Sequence, residues 1–222
     1  MVADDIAVAG VERLRTVAQV DVEAEITSAQ LLARIPGYHA LVVRSRTKVD
    51  SALLAAAGQL RVVGRAGVGV DNVDVEAAAA RGVIVVNSPL AATTAVAELT
   101  LALMLAVARQ VPLADTAMKQ GEWPKKKLQG VELEGKTLGL IGFGRIGREV
   151  ARRAQVFGMR IVAYEVIPID PASVAHLATL LELQQVLAAA DYISLHVPVT
   201  SATRNIIDAA ALASCKPGVR IV

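Results

Sequence analysis

The sequence predicts an α/β protein made of two successive parallel-sheet units. Apolar residues are 54% of the 222-residue chain and aromatics only 3%. That balance, dominated by Ala, Val, Leu and Ile, suits buried parallel strands covered by helices. Short β-type runs alternate with helical runs, the pattern of right-handed βαβ crossovers. The alternation stops at a polar stretch and then begins again.

The first block lies between His39 and Asn87. HALVVRS (His39–Ser45) predicts a strand and SALLAAAG a helix ending on Gly58. LRVVGRAG predicts a strand, VDVEAAAARG a helix ending on Gly82, and VIVVN a strand. A long helix over Thr93–Arg109 follows. It is apolar almost all round, so burial on several sides is expected, between domains or subunits.

Lys119–Gly135 is polar, with Gly121, Pro124, Gly130 and three consecutive lysines, and predicts a loop. The second block then runs TLGLIGFG (strand), RIGREVARRAQVFG (helix), RIVAYE (strand), a Pro-containing loop, LELQQVLAAA (helix), YISLHV (strand), IDAAALASC (helix) and GVRIV (strand). The expected division is residues 1–90 and 91–222. The chain ends inside an apparent strand at Val222.

Bulk properties narrow the function. A net charge of +2 advertises neither nucleic acid nor an anionic membrane. One cysteine, Cys215, excludes an internal disulfide framework and fits a reducing cytoplasm. Asp4 and Asp5 stand where a signal peptide would be basic. The most apolar run, Leu99–Ala108, is too short to span a bilayer.

Gly142, Gly144 and Gly147 form G-F-G-R-I-G between an apolar strand and an amphipathic helix. Gly142 permits the tight turn, Gly144 lets a pyrophosphate approach the backbone, and Gly147 lets helix and strand pack closely. Free N–H groups around Arg145 and Ile146, with the helix dipole, favour that anion. Glu165, at the end of the next strand, can accept hydrogen bonds from ribose hydroxyls. It would repel a 2′-phosphate, and VIPID after it offers no arginine, so NAD is expected over NADP.

Other candidates are plainer. His196 has the look of a base, but is expected to be structural or to line the cofactor pocket with Val197 and Pro198. His39 and His176 have no partnered motif. Cys215 is expected to be a buried thiol in a helix, Lys125–Lys127 a solvated run, and Asp74 a helix N-cap. RAGVGVDN (Arg65–Asn72) is a second glycine-rich turn, whose N–H groups could hold a carboxylate.

VVRSRTKVD, VVGRAGVGVDNVDVEAAAARGVIVVN, AELTLALMLAVARQVP, MKQGEWPKKKLQGVELEGKTLGLIGFGRIGREVARRAQVFGM and CKPGVRIV together resemble the D-3-phosphoglycerate dehydrogenases, within the D-2-hydroxy-acid dehydrogenase family. The resemblance covers nearly the whole chain. It implies two Rossmann-like doubly wound parallel-sheet domains, a substrate domain and an NAD-binding domain, with the second incomplete here. It puts NAD contacts on Arg145, Ile146, Glu165 and Val197, with Val68 near the nicotinamide. Glu165 replaces the more usual Asp. The substrate carboxylate is expected at Val68 and Gly69. The phosphate is expected at Arg44, beside Ser45, and Arg65, with Lys125 reaching in from a neighbouring subunit. Helix Thr93–Arg109 matches the family's dimer element, so a homodimer is expected.

Three departures accompany the resemblance. The family's carboxylate-binding Arg and its Glu–His acid/base pair lie beyond Val222, so no catalytic residue is assigned and turnover is expected to be weak or absent. MVADD stands where the family has a longer first strand. LAATTA replaces a stretch that is often polar. The expected function is NAD-dependent oxidation of a phosphorylated 2-hydroxy acid, 3-phosphoglycerate. The alternatives are a glyoxylate- or hydroxypyruvate-type dehydrogenase, or a non-catalytic NAD-binding protein that dimerises or senses.

Overall fold

The computed structural model describes residues 1–222, which form two compact units, Met1–Ala92 and Thr93–Val222. In the first, α1 (Val8–Arg15) and α2 (Ser28–Arg34) precede β1 (Ala40–Val43), α3 (Ser51–Ala56), β2 (Val62–Arg65), α4 (Val75–Ala80) and β3 (Ile84–Asn87). The strands pair in parallel in the order β1-β2-β3. Val2 extends this sheet by bridging Val22 on one side and Val42 on the other, both in parallel. Counting these bridges, the order is 2-1-3-4-5 with Val22 at one edge and β3 at the other. This is a doubly wound arrangement with its switch point between Asp4 and the end of β1.

Local sequence explains where the helices start. Thr27 and Gln30 form a capping box at α2. Asp50 accepts from Leu53 N at α3, and Asp74 from Ala77 N at α4, the N-cap expected of it. Leu41, Val43 and Val63 then bury their side chains against Leu31, Ile35, Leu53, Leu54 and Ala78. Neither α1 nor α2 was expected.

The second unit opens with α5 (Thr93–Ala108) and α6 (Val111–Lys119). It continues with β4 (Thr137–Ile141), α7 (Arg145–Val156), β5 (Arg160–Tyr164), α8 (Pro171–Val174), β6 (Thr179–Leu180), α9 (Leu183–Ala189), β7 (Tyr192–Leu195), α10 (Ala209–Ala213) and β8 (Arg220–Ile221). The five strands are parallel in the order β6-β5-β4-β7-β8. In chain order this is 3-2-1-4-5, the doubly wound nucleotide-binding topology, with the switch point between β4 and β7. Leu138 and Leu140 pack with α5 and α7 on one face. Ile141 and Ile193 pack with α9 and α10 on the other.

Within this single chain, helix α5 is covered along one side. Ala97, Leu101, Met104 and Ala108 are buried, whereas Leu99, Leu103 and Val107 are exposed. Helix α6 was not foreseen. It starts after Gln110, which breaks α5 by adopting left-handed φ 55° and donates its side-chain amide to Gln129 O at 2.7 Å. No single helix is long and apolar enough to cross a membrane.

Candidate functional site

The glycine turn sits at the carboxyl end of β4, on the switch point. The sheet stays closed there, since His196 N donates to Ile141 O at 2.7 Å. Gly142 has φ +97°, and a Cβ on it would lie 2.6 Å from His196 O. A Cβ on Gly147 would overlap the carbonyl oxygen of Gly142. Gly144 differs from both, since a Cβ there would meet nothing within 4 Å. Its missing side chain therefore opens space toward solvent, where an anion can come against the backbone.

Helix α7 keeps its amide donors free. Helices α2, α3, α4, α8 and α10 are capped by their own Thr or Asp side chains, but α7 begins on Gly144 with no side-chain cap. Its strongly amphipathic sequence buries Gly147, Val150, Ala151 and Ala154. That leaves Arg145 exposed at the first turn and without an ion pair. Phe143 is fully buried, and Arg148 locks the turn by donating to Phe143 O at 3.1 Å.

Glu165, half-buried just beyond β5, closes this turn. Its Oε2 accepts from Phe143 N at 2.7 Å, and its Oε1 accepts from Val166 N at 2.9 Å and Ile167 N at 3.2 Å. A carboxylate has about four lone-pair positions, so capacity remains for ribose hydroxyls. Glu165 also lines a cavity of about 490 Å³ with Tyr164, Ile167 and Glu182. These features fit a dinucleotide: an open backbone approach, uncapped amides, a positioned acid, and no arginine in Val166–Asp170.

His196 is half-buried, and Ser194 Oγ lies 3.0 Å from its Nε2. Desolvation lowers its pKa to about 4, so the ring is neutral across the physiological range. Val197 packs against Gly142, and Pro198 is exposed beyond it.

In the first unit, Arg44 and Ser45 follow β1 and Arg65 ends β2, with Val43 paired to Arg65 across the ladder. The structure brings Arg44, Ser45, Arg65, Val68 and Gly69 to one sheet edge. The N–H groups of Val68 and Gly69 make no intramolecular hydrogen bond, while Val68 O accepts from Asn87 Nδ2 at 2.6 Å. A Cβ on Gly67 would overlap the Arg65 guanidinium, which lies across it. Neither Arg44 nor Arg65 forms an ion pair. The one ion pair of this loop is Arg46 with Asp4, at 3.1 Å. Lys125 belongs to the second unit, on an exposed turn. Cys215 is half-buried beyond the end of α10, not within a helix as expected, and its Sγ contacts Ala211 O at 3.2 Å.

Sequence reasoning missed Asp4, Asn72 and Ser194, whose roles depend on contacts distant in sequence or on a facing ring. Asn72 is the last residue of the glycine-rich turn Arg65–Asn72, and that is its only sequence signal.

The doubly wound order, the glycine turn at its switch point and the acid after β5 define a dinucleotide-binding protein. Residues 101–222 match the D-isomer specific 2-hydroxyacid dehydrogenase, NAD binding domain family, and the chain belongs to that family. It is 45% identical to D-3-phosphoglycerate dehydrogenase of Methanocaldococcus jannaschii, over all of this chain and 43% of that protein. Against the Mycobacterium tuberculosis D-3-phosphoglycerate dehydrogenase it is 50% identical over 87% of this chain and 37% of that protein. The chain thus spans less than half the length of these curated relatives. A glyoxylate reductase structure from Paecilomyes thermophila superposes with a TM-score of 0.90 at 32% identity, covering 99% of this chain and 71% of that one.

Proposed function

We propose that these residues bind NAD and the anionic groups of a phosphorylated 2-hydroxy acid, for oxidation of D-3-phosphoglycerate. Residues 1–90 are the beginning of the substrate domain, and 91–222 hold the cofactor. The observation that carries the substrate assignment is Arg44 and Arg65 at adjoining strand ends, both free of carboxylates. Guanidinium groups suit a phosphate dianion, and the neighbouring free amides of Val68 and Gly69 suit the substrate carboxylate. Lys125 adds a third cation from a neighbouring subunit.

NAD, when bound, would supply the hydride-acceptor chemistry. The chain's own residues orient and hold. The amides of Arg145 and Ile146 take the pyrophosphate, Arg145 adds a positive charge, and Glu165 takes the adenosine ribose. Val197 and Pro198 wall the pocket beyond β7, with His196 as a neutral spacer. None of the three histidines is the base. His39 is exposed at the amino end of β1, His176 is exposed, and burial leaves His196 a weak proton acceptor whose Nε2 is held against Ser194. Turnover by these 222 residues alone is therefore expected to be weak.

A second copy of the chain covers the exposed stripe Leu99, Leu103 and Val107 on α5, giving a homodimer. A net charge of +2 provides no field for nucleic acid. The free, half-buried cysteine suits the cytoplasm. A glyoxylate-type substrate is the second reading, favoured only by the likeness to the glyoxylate reductase.

Calorimetric titration of the NADH-saturated chain separates the two. Binding of 3-phosphoglycerate at least about tenfold tighter than glyoxylate, lost in Arg65→Ala, supports the phosphorylated substrate. Equal binding of both, unaffected by Arg65→Ala, would replace it with the second reading.

A further inference from the structure

We propose that Asn72 and Asp4 are positioning residues that hold Arg44 and Arg65 together as one anion-binding pair, a step that rests on the substrate assignment above. Asn72 lies in the turn between β2 and α4. Its Nδ2 donates to Arg44 O at 2.7 Å and to Thr47 O at 2.6 Å. Its Oδ1 faces Arg65 Nε at 3.5 Å. One side chain thus spans the loop that carries one arginine and touches the other arginine directly.

Asp4 grips the same loop from the opposite side. It is only 2% exposed. Its Oδ2 accepts from Arg44 N at 2.6 Å and Thr47 N at 3.2 Å, and its Oδ1 accepts from Thr47 Oγ1 at 2.6 Å. The backbone of Arg44 is therefore fixed at its N–H by Asp4 and at its carbonyl by Asn72. These contacts fall at the switch point of the first sheet, where the chain parts on leaving Asp4 and β1 and a crevice is expected.

The charges are divided to match. Asp4 neutralises Arg46, whose guanidinium also donates to the carbonyls of Ala3, Ala24 and Ile26. Arg46 is thereby committed to the fold. The guanidinium of Arg44 donates only to Asp5 O, at 3.2 Å, so its charge remains available. Asn72 meets Arg65 with a neutral oxygen. An aspartate there would quench Arg65, repel an anion and lose both donations to the Arg44 and Thr47 carbonyls. Preorganising two long cationic side chains reduces the ordering that binding must otherwise impose.

Calorimetry on the NADH-saturated 222-residue chain tests this, with 3-phosphoglycerate and its unphosphorylated counterpart glycerate as probes. The readout is the ratio of the two affinities, which a loss of fold alone would not move selectively. Asn72→Ala and Asp4→Asn are expected to lower that ratio about tenfold. Asn72→Asp should lower it further and also lower the melting temperature, because a carboxylate oxygen would face the carbonyls that the Asn72 amide donates to. If the ratio stays within about twofold in the Asn72 variants while Arg65→Ala collapses it, the positioning roles are overturned and the anion site stands. If Arg44→Ala and Arg65→Ala also leave the ratio unchanged, the substrate assignment fails and takes the clamp with it.

Discussion

A Cβ on Gly142 would stand 2.6 Å from the carbonyl oxygen of His196. The glycine is therefore required by the strand across the switch point, independently of any ligand. Gly144, two residues on, has no such neighbour. The two glycines do different work and separate stability from binding.

Gly142→Ala puts a methyl group into that carbonyl and forces φ +97° on an L-residue. A loss of at least about 1–3 kcal/mol is expected, together with loss of NADH binding. Gly144→Ala should melt at close to the parent temperature yet bind NADH about tenfold more weakly, because the methyl occupies the pyrophosphate's path. Thermal melts paired with NADH fluorescence titrations check both.

Glu165 is the expected source of cofactor choice. Glu165→Gln removes the charge that repels a 2′-phosphate. It should weaken NADH and narrow the NADH-over-NADPH preference by about tenfold. Titrating each variant with both nucleotides measures it. An unchanged preference would mean the carboxylate serves only the turn it closes through Phe143.

Burial depresses His196 from 6.5 to about 4. The folded protein therefore resists a proton that the unfolded chain accepts. Stability from this residue is full above pH 6.5 and is lost as pH falls from 6.5 toward 4. The size is on the order of 1–3 kcal/mol, allowing for the half-exposed ring. Denaturant melts across that window should show the slope, and His196→Asn should flatten it.

Burial alone would raise the carboxyl of Asp4. The hydrogen bonds from the Thr47 hydroxyl, Arg44 N and Thr47 N, and the charge of Arg46, outweigh it and leave the pKa lowered. Its contribution is then present above 3.8 and lost as pH falls below that value. Asp4→Asn should cost about 1–3 kcal/mol at pH 7 and remove part of the acid limb of the stability curve.

The glycine turn was legible because its requirements are local. A strand, three glycines and a helix follow one another, and steric demand fixes which residues are tolerated. The parallel pairing of β1, β2 and β3 was legible from the alternation of strand and helix along the chain. Asp4 was not, because its meaning lies in Thr47 and Arg44, some forty residues on, and an acid near an amino terminus looks solvated. The one-sided exposure of α5 was hidden because Thr93–Ala108 is apolar almost all round, so periodicity could not say which side the chain itself covers. Helix α6 was hidden behind Gln110, whose left-handed backbone no composition announces.

That exposed stripe carries its own expectation. Leu103→Lys should leave the fold intact and shift the chain from dimer to monomer in sedimentation velocity. An unchanged dimer would place the contact elsewhere.

The most direct test of the account is an NADH fluorescence titration of the 222-residue chain, run beside NADPH. Saturable binding of NADH, at least about tenfold tighter than NADPH and weakened by Gly144→Ala, is the predicted result. No saturable binding, or equal binding of both nucleotides by parent and variant, would contradict a cofactor site built on Gly144, Arg145 and Glu165.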